Sequence, residues 1–168
     1  MFIKKINYLY KFLIIFSLIL PINISRAEFF KDISNIITIN ESRLSYGVSV
    51  TDINSDGNNE FIVTGFGYPN LALSYIDGKL KNIIQEEIFL DRNRKTIGVA
   101  ACDLDKDGFE EIYFLNTDTY SGTKKYSDRL IDKNNNNFFD LFELKKNREN
   151  LNLTAGRSVV CVDRKGDG

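Results

Sequence analysis

Two nine-residue runs place oxygen ligands at spacings suited to one hard cation. Residues 52–60 read DINSDGNNE and residues 103–111 read DLDKDGFEE, and both fit D-x-[DN]-x-D-G-x-x-E. Calcium takes six to eight oxygen ligands at about 2.3–2.6 Å. Side chains at positions 1, 3 and 5 of a tight loop converge on one point, and a glycine at position 6 allows the turn. Position 7 offers its backbone carbonyl, and the acid at position 9 closes the shell. The ligand set expected for loop one is Asp52, Asn54, Asp56, the Asn58 carbonyl and Glu60. For loop two it is Asp103, Asp105, Asp107, the Phe109 carbonyl and Glu111. An EF-hand is excluded, since that loop needs Glu at position 12 between two helices, and Val63 and Phe114 stand there inside strand patterns. The competing reading is an acidic Asx turn that holds no ion. Two matched loops at equivalent places in a repeat favour Ca2+.

A third stretch departs from the pattern. In CVDRKGDG, Cys161 takes position 1, Asp163 position 3 and Lys165 position 5. An ammonium group would occupy the ion's space, so no calcium is expected there. The chain has no His, which removes Ser-His-Asp triads, Cys-His pairs and His-ligated metals. Catalysis would have to run on carboxylates, Tyr, Lys or a hard metal.

The elements that position the loops recur. GVSVTDINSDGNNEFIV starts at Gly47, GVAACDLDKDGFEEIYF at Gly98 and GRSVVCVDRKGDG at Gly156, so the leading glycines are 51 and 58 residues apart. Between these marks the pattern predicts four short strands per unit. In the first unit they are 47–53, 60–66, 71–76 and 79–84, with Asp77-Gly78 as a type I′ hairpin signal. In the second they are GVAACDL, EIYFLN, a strand near Tyr126 to Ile131, and FFDLFEL after a turn at Asn134–Asn137. Four strands in roughly 40–50 residues is the signature of a β-propeller blade. The fold class expected is all-β, a partial β-propeller of four-stranded antiparallel blades, about two and a half of them. Blade units fall at about 45–85 and 97–145, with a third beginning at about 154. A propeller closes with typically four to eight blades, so the sequence reads as the N-terminal part of a longer protein, truncated after Gly168.

These loops resemble FG-GAP and VCBS repeats. The longer segments YGVSVTDINSDGNNEFIV, IGVAACDLDKDGFEEIYFLNTDTYSG and AGRSVVCVDRKG are similar to the cartilage acidic protein family, related to ASPIC/UnbV proteins. The resemblance covers roughly residues 28–168. It implies a secreted, calcium-dependent propeller with adhesive or matrix roles and no established enzyme activity.

Lys4, Lys5 and Lys11, the apolar run Phe12 to Leu20, and Ser25 and Ala27 before Glu28 form a secretory signal pattern over residues 1–27. A run this short does not span the roughly 30 Å bilayer core as a helix, so no membrane span is expected after cleavage. Residues 28–168 hold 18 basic and 23 acidic residues, a net charge of −5. That balance argues against nucleic acid as a partner. Cys102 and Cys161 allow one disulfide, with buried thiols as the alternative. Lys165-Gly166-Asp167 matches a KGD tripeptide but lies inside the repeat loop and carries no weight. Asn40-Glu41-Ser42 and Asn152-Leu153-Thr154 are glycosylation sequons only in a eukaryotic host. The expectation is a non-enzymatic adhesion or recognition module, secreted or periplasmic, meeting an extracellular protein or glycan. A propeller-type hydrolase or lyase with its active site in further blades is the alternative, as is a truncated product without function. Against catalysis, every clustered carboxylate is read as belonging to a metal loop.

Overall fold

The computed structural model describes residues 30–134 and 137–163. The signal segment therefore lies outside the described residues, apart from its downstream flank, and so do Lys165 and the KGD tripeptide. Eight strands form two four-stranded sheets, each antiparallel and in sequential order. The first sheet holds β1 (Val48–Thr51), β2 (Glu60–Val63), β3 (Leu71–Ile76) and β4 (Lys79–Asn82). The second holds β5 (Thr96–Cys102), β6 (Glu111–Asn116), β7 (Arg129–Asn134) and β8 (Asn137–Asp140). The all-β blade architecture read from the sequence is present. The β3–β4 turn has Asp77 at φ 53° and Gly78 at φ 76°. Both central residues being left-handed, this is the type I′ geometry whose twist matches the strands.

Three elements differ from the sequence pattern. One helical turn, α1 (Glu87–Leu90), interrupts the connection between the sheets. It buries Phe89 and Leu90, so the link carries core side chains that a strand pattern does not reveal. The strand expected from Tyr126 begins only at Arg129, because the Asp128 carboxylate accepts the Asn116 N–H at 2.8 Å in place of a ladder bond. The strand expected through Leu144 ends at Asp140, whose side chain accepts from the N–H of Phe142 at 3.0 Å and starts a 3-10 turn at Leu141–Glu143.

The core lies between the sheets. Ile62 and Ala72 from the first meet Val99, Ile112, Phe114 and Ile131 from the second, with Phe89 from α1. The Phe89 ring meets Phe114 edge-on at 5.2 Å. Full burial of such side chains stabilises by about 1.5–3 kcal/mol each. The repeated glycines set how closely the innermost strands approach. A Cβ on Gly47 would stand 3.0 Å from the Gly98 Cα, and one on Gly156 would stand 2.7 Å from a Leu115 methyl. The third segment runs alongside β5 and β6 without a ladder of its own. It is held by the Thr123–Thr154 bridge, by Ala155 N–H donating to the Gly122 carbonyl at 2.9 Å, and by a disulfide between Cys102 and Cys161. No helix among the described residues is long and apolar enough to cross a membrane.

Candidate metal centre

The two acidic loops share one backbone. Ser55 and Lys106, at position 4, have φ of 62° and 66°, and Gly57 and Gly108, at position 6, have φ of 87° and 91°. A glycine at position 6 meets no steric cost at that φ. The hydrogen bonds repeat as well. The N–H of Gly57 donates to Asp52 Oδ2 at 2.8 Å, and that of Gly108 to Asp103 Oδ2 at 3.1 Å. Asn54 and Asp105 each accept from the N–H two residues on, at 2.9 and 3.1 Å. Asp56 and Asp107 do the same for Asn58 and Phe109, both at 2.8 Å. The glutamate at position 9 reaches back to the N–H of position 2. Glu60 accepts from Ile53 at 3.1 Å and Glu111 from Leu104 at 2.6 Å.

These glutamates are buried. Glu60 is 0% exposed and Glu111 2%. Burial raises both carboxyls above the ordinary 4.5, with the nearby acids adding to the push. Their second oxygens, Glu60 Oε1 and Glu111 Oε1, have no hydrogen-bond partner, and Asp103 Oδ1 shares that condition. A buried acceptor left unsatisfied costs about 1–3 kcal/mol, more when charged. In loop two carboxylate oxygens converge. One carboxylate oxygen from each of Asp103, Asp105 and Glu111 lies within 4.8 Å of the others. This donor set is all hard oxygen, and it fits a calcium ion. Asp107 stands outside that triple, and Phe109 is anchored by its ring, which is 8% exposed and 6.4 Å from that of Phe138.

Loop one has the same backbone but a looser ligand set. Asp52, Asp56 and Glu60 do not converge as the loop-two acids do. Asp56 Oδ2 accepts from the Asn54 amide at 2.9 Å and its Oδ1 from the Asn58 amide at 3.0 Å. The Asn58 N–H and the two side-chain amides hold the Asp56 carboxyl below its ordinary value. Asn54 and Asn58 thus turn to Asp56. In the third segment Cys161, at position 1, is committed to the disulfide, which withdraws its sulfur from any ligand role.

Two residues at the loops were not visible as candidates in the sequence. β2 pairs with β3 through Phe61 opposite Leu73, and β6 with β7 through Ile112 opposite Ile131. Continued one residue past the last pair, each register sets Ser74 against Glu60 and Asp132 against Glu111. Ser74 offsets part of the rise that burial imposes on the Glu60 carboxyl. Asp132 is buried, and burial followed by the charges of Asp105 and Asp107 raises its carboxyl. An acid inside the strand pattern RLIDKN is the signal that marks it, once the register is known.

The expectation that all clustered carboxylates belong to metal loops is corrected by buried acids elsewhere. Asp128 receives the Lys124 ammonium, the Tyr113 hydroxyl at 2.7 Å and the Asn152 amide at 2.6 Å. Asp91 and Asp140 share Arg129, at 2.8 and 2.9 Å. Each is neutralised by a fixed cation, so these groups rigidify the second sheet. The Asn152 amide is spent on Asp128, which removes that sequon as a free acceptor.

A family model for an FG-GAP-like repeat matches residues 29–114. Cartilage acidic protein 1 of Xenopus tropicalis is 47% identical over 140 residues, which is 77% of this chain and 22% of that protein. The human protein of the same name is 46% identical over 77% of this chain and 21% of its own length, and the mouse protein is 45% identical over 77% and 22%. The chain thus spans about a fifth of the length of these relatives. With the matched loops, the blade sheets and a family match over half its length, the chain belongs to the FG-GAP-like repeat family.

Proposed function

We propose that this chain is an extracellular, calcium-binding repeat module that presents a recognition surface to a protein or glycan and catalyses no reaction. The observation that carries the calcium reading is the buried Glu111, which has one oxygen unpartnered and whose carboxylate gathers with those of Asp103 and Asp105. Calcium, when bound, supplies the positive charge that this cluster lacks. The residues do the rest. Gly108 and Lys106 set the turn, Asp103 and Asp107 fasten it through backbone N–H groups, and Phe109 pins it to the core. An ion that binds only the folded state then stabilises it in proportion to the logarithm of its concentration.

The extracellular placement rests on the signal pattern, on a disulfide of the kind that persists in oxidising compartments, and on relatives named for cartilage. The reading as a module without catalysis rests on Asp91, Asp128 and Asp140, buried acids outside the loops, being paired with Lys124 or Arg129. The test is calcium titration of the full chain by calorimetry, followed by thermal melts with calcium and with chelator. Saturable binding, a higher melting point in calcium and loss of the tighter site in Asp105→Ala are expected. A chain that takes up no calcium, or melts alike in both conditions, refutes the reading in favour of bare Asx turns.

A further inference from the structure

The geometry points to Asp132 as a fifth acid of the loop-two site, a specificity-determining residue that acts on the ion from the neighbouring strand. This rests on the calcium reading above and adds to it a residue outside the loop motif. Residues directly opposite on antiparallel strands share a sheet face, with Cβ atoms about 4.5–5.5 Å apart. The β6–β7 ladder ends with Ile112 opposite Ile131, so continuing its register by one residue brings Asp132 to Glu111, whose carboxyl feels the Asp132 charge. Both are buried, at 9% and 2% exposure. Asp132 Oδ1 accepts the Lys133 N–H at 2.5 Å, which restrains the carboxylate. The adjacent Lys133 Nζ donates to the Ile53 carbonyl at 3.1 Å, in loop one, and stands 5.5 Å from the centre of the Phe109 ring.

The first blade supplies an internal comparison. There the register puts Ser74, a neutral donor, opposite Glu60. Blade one places a neutral hydroxyl near its position-9 glutamate, whereas blade two adds a charge beside it. A buried carboxylate next to a glutamate is unfavourable unless a cation joins them. Asp103, Asp105, Asp107, Glu111 and Asp132 together leave excess negative charge around a divalent ion, so the site favours ions of high charge density. Asp132 is therefore a positioning group, with no direct bond to the ion required.

The experiment titrates the full chain with Ca2+ and separately with Tb3+, following heat and terbium luminescence. Asp132→Asn keeps the shape and removes the charge. Loop-two calcium affinity is expected to fall about tenfold in Asp132→Asn and to be largely retained in Asp132→Glu. Because Coulomb energy scales with ion charge, a tenfold loss for Ca2+ implies about a thirtyfold loss for Tb3+. A purely structural role would weaken both ions equally. A transplant removes dependence on the folding of that one variant. In an Asp105→Ala background, which isolates loop one, Ser74→Asp should tighten calcium binding. Unchanged affinity in Asp132→Asn, equal losses for both ions, or no gain from Ser74→Asp overturns the role of Asp132 alone. Failure of the unmodified chain to bind calcium overturns the calcium reading and this proposal with it.

Discussion

Replacing both Cys102 and Cys161 by Ser removes the covalent link between the end of β5 and the third segment. The cysteines are 59 residues apart in sequence, with Cα atoms 6.0 Å apart. Loop-closure entropy for that separation gives about 4 kcal/mol at 25 °C, and long loops lie toward the upper end of what disulfides contribute. A domain of this size is stable by only about 5–15 kcal/mol, so the loss is large. The weak attachment of the third segment adds a second effect. Apart from the disulfide it has the Thr123–Thr154 bridge, the Ala155–Gly122 bond and Lys124 N–H donating to the Leu153 carbonyl at 2.8 Å. Without the link, the packing of Gly156 on Leu115 and of Val159 beside Gly98 depends on those bonds, on Asn152 to Asp128 and on the contacts of Arg157 with Tyr120. Urea unfolding at fixed calcium measures the first effect, and trypsin cleavage after Arg157 under native conditions measures the second. The double variant should show a midpoint lowered by an amount equivalent to about 3–4 kcal/mol, a steeper denaturant dependence from its more expanded unfolded chain, and faster cleavage. An unchanged midpoint and slope, with cleavage no faster than in the parent, would refute the cross-link and the entropy argument together.

In the calcium-free chain, Glu60 and Glu111 have carboxyls raised by burial. The folded state then holds its protons more tightly than the unfolded one, so stability should rise as pH falls toward the ordinary 4.5 and be lost as pH climbs through the raised values. With calcium present the slope over that window should reverse, because the ion needs the ionised carboxylates, and melts at stepped pH with and without chelator show the crossing. Gly47→Ala forces a Cβ to 3.0 Å from the Gly98 Cα and should cost about 1–3 kcal/mol in urea unfolding, a figure that a cost near zero would contradict. Lys124→Met leaves Asp128 buried without its cation and should cost about 3–5 kcal/mol, with partial recovery in Lys124→Met/Asp128→Asn as the check.

How much could be read from sequence follows from how local each feature is. The loops were legible because their bonds are local. Asp52 to Gly57 and Asp103 to Gly108 span five residues, and the glutamate returns to position 2 over seven. The strands were legible where turn chemistry marked them, as at Asp77-Gly78. The features that escaped depend on register between distant segments. Asp128 replaces a backbone partner of Asn116 twelve residues away, which shortens β7. Phe89 enters the core from a connection whose length alone gives no reason for a helical turn. Asp132 reads as an ordinary strand residue until the ladder sets it against Glu111.

The two blades also show why identical motifs need not make identical sites. Both loops satisfy the same nine-position pattern and share most backbone bonds, although the Asp56 N–H reaches Asp52 Oδ1 at 3.0 Å while Asp103 Oδ1 is left unpartnered, and only the loop-two acids converge among the described residues. The difference lies in what occupies the variable positions. Asn54 and Asn58 give loop one side-chain amides that turn to Asp56 and hold it ionised without a metal. Asp105 and Phe109 give loop two no such amide. Loop one carries its own neutral donors, whereas loop two leaves charge for a cation to balance. Ser74 and Asp132 extend the same contrast to the neighbouring strand. The motif fixes where an ion would sit, and the residues between and beside its acids fix how strongly the folded chain demands one.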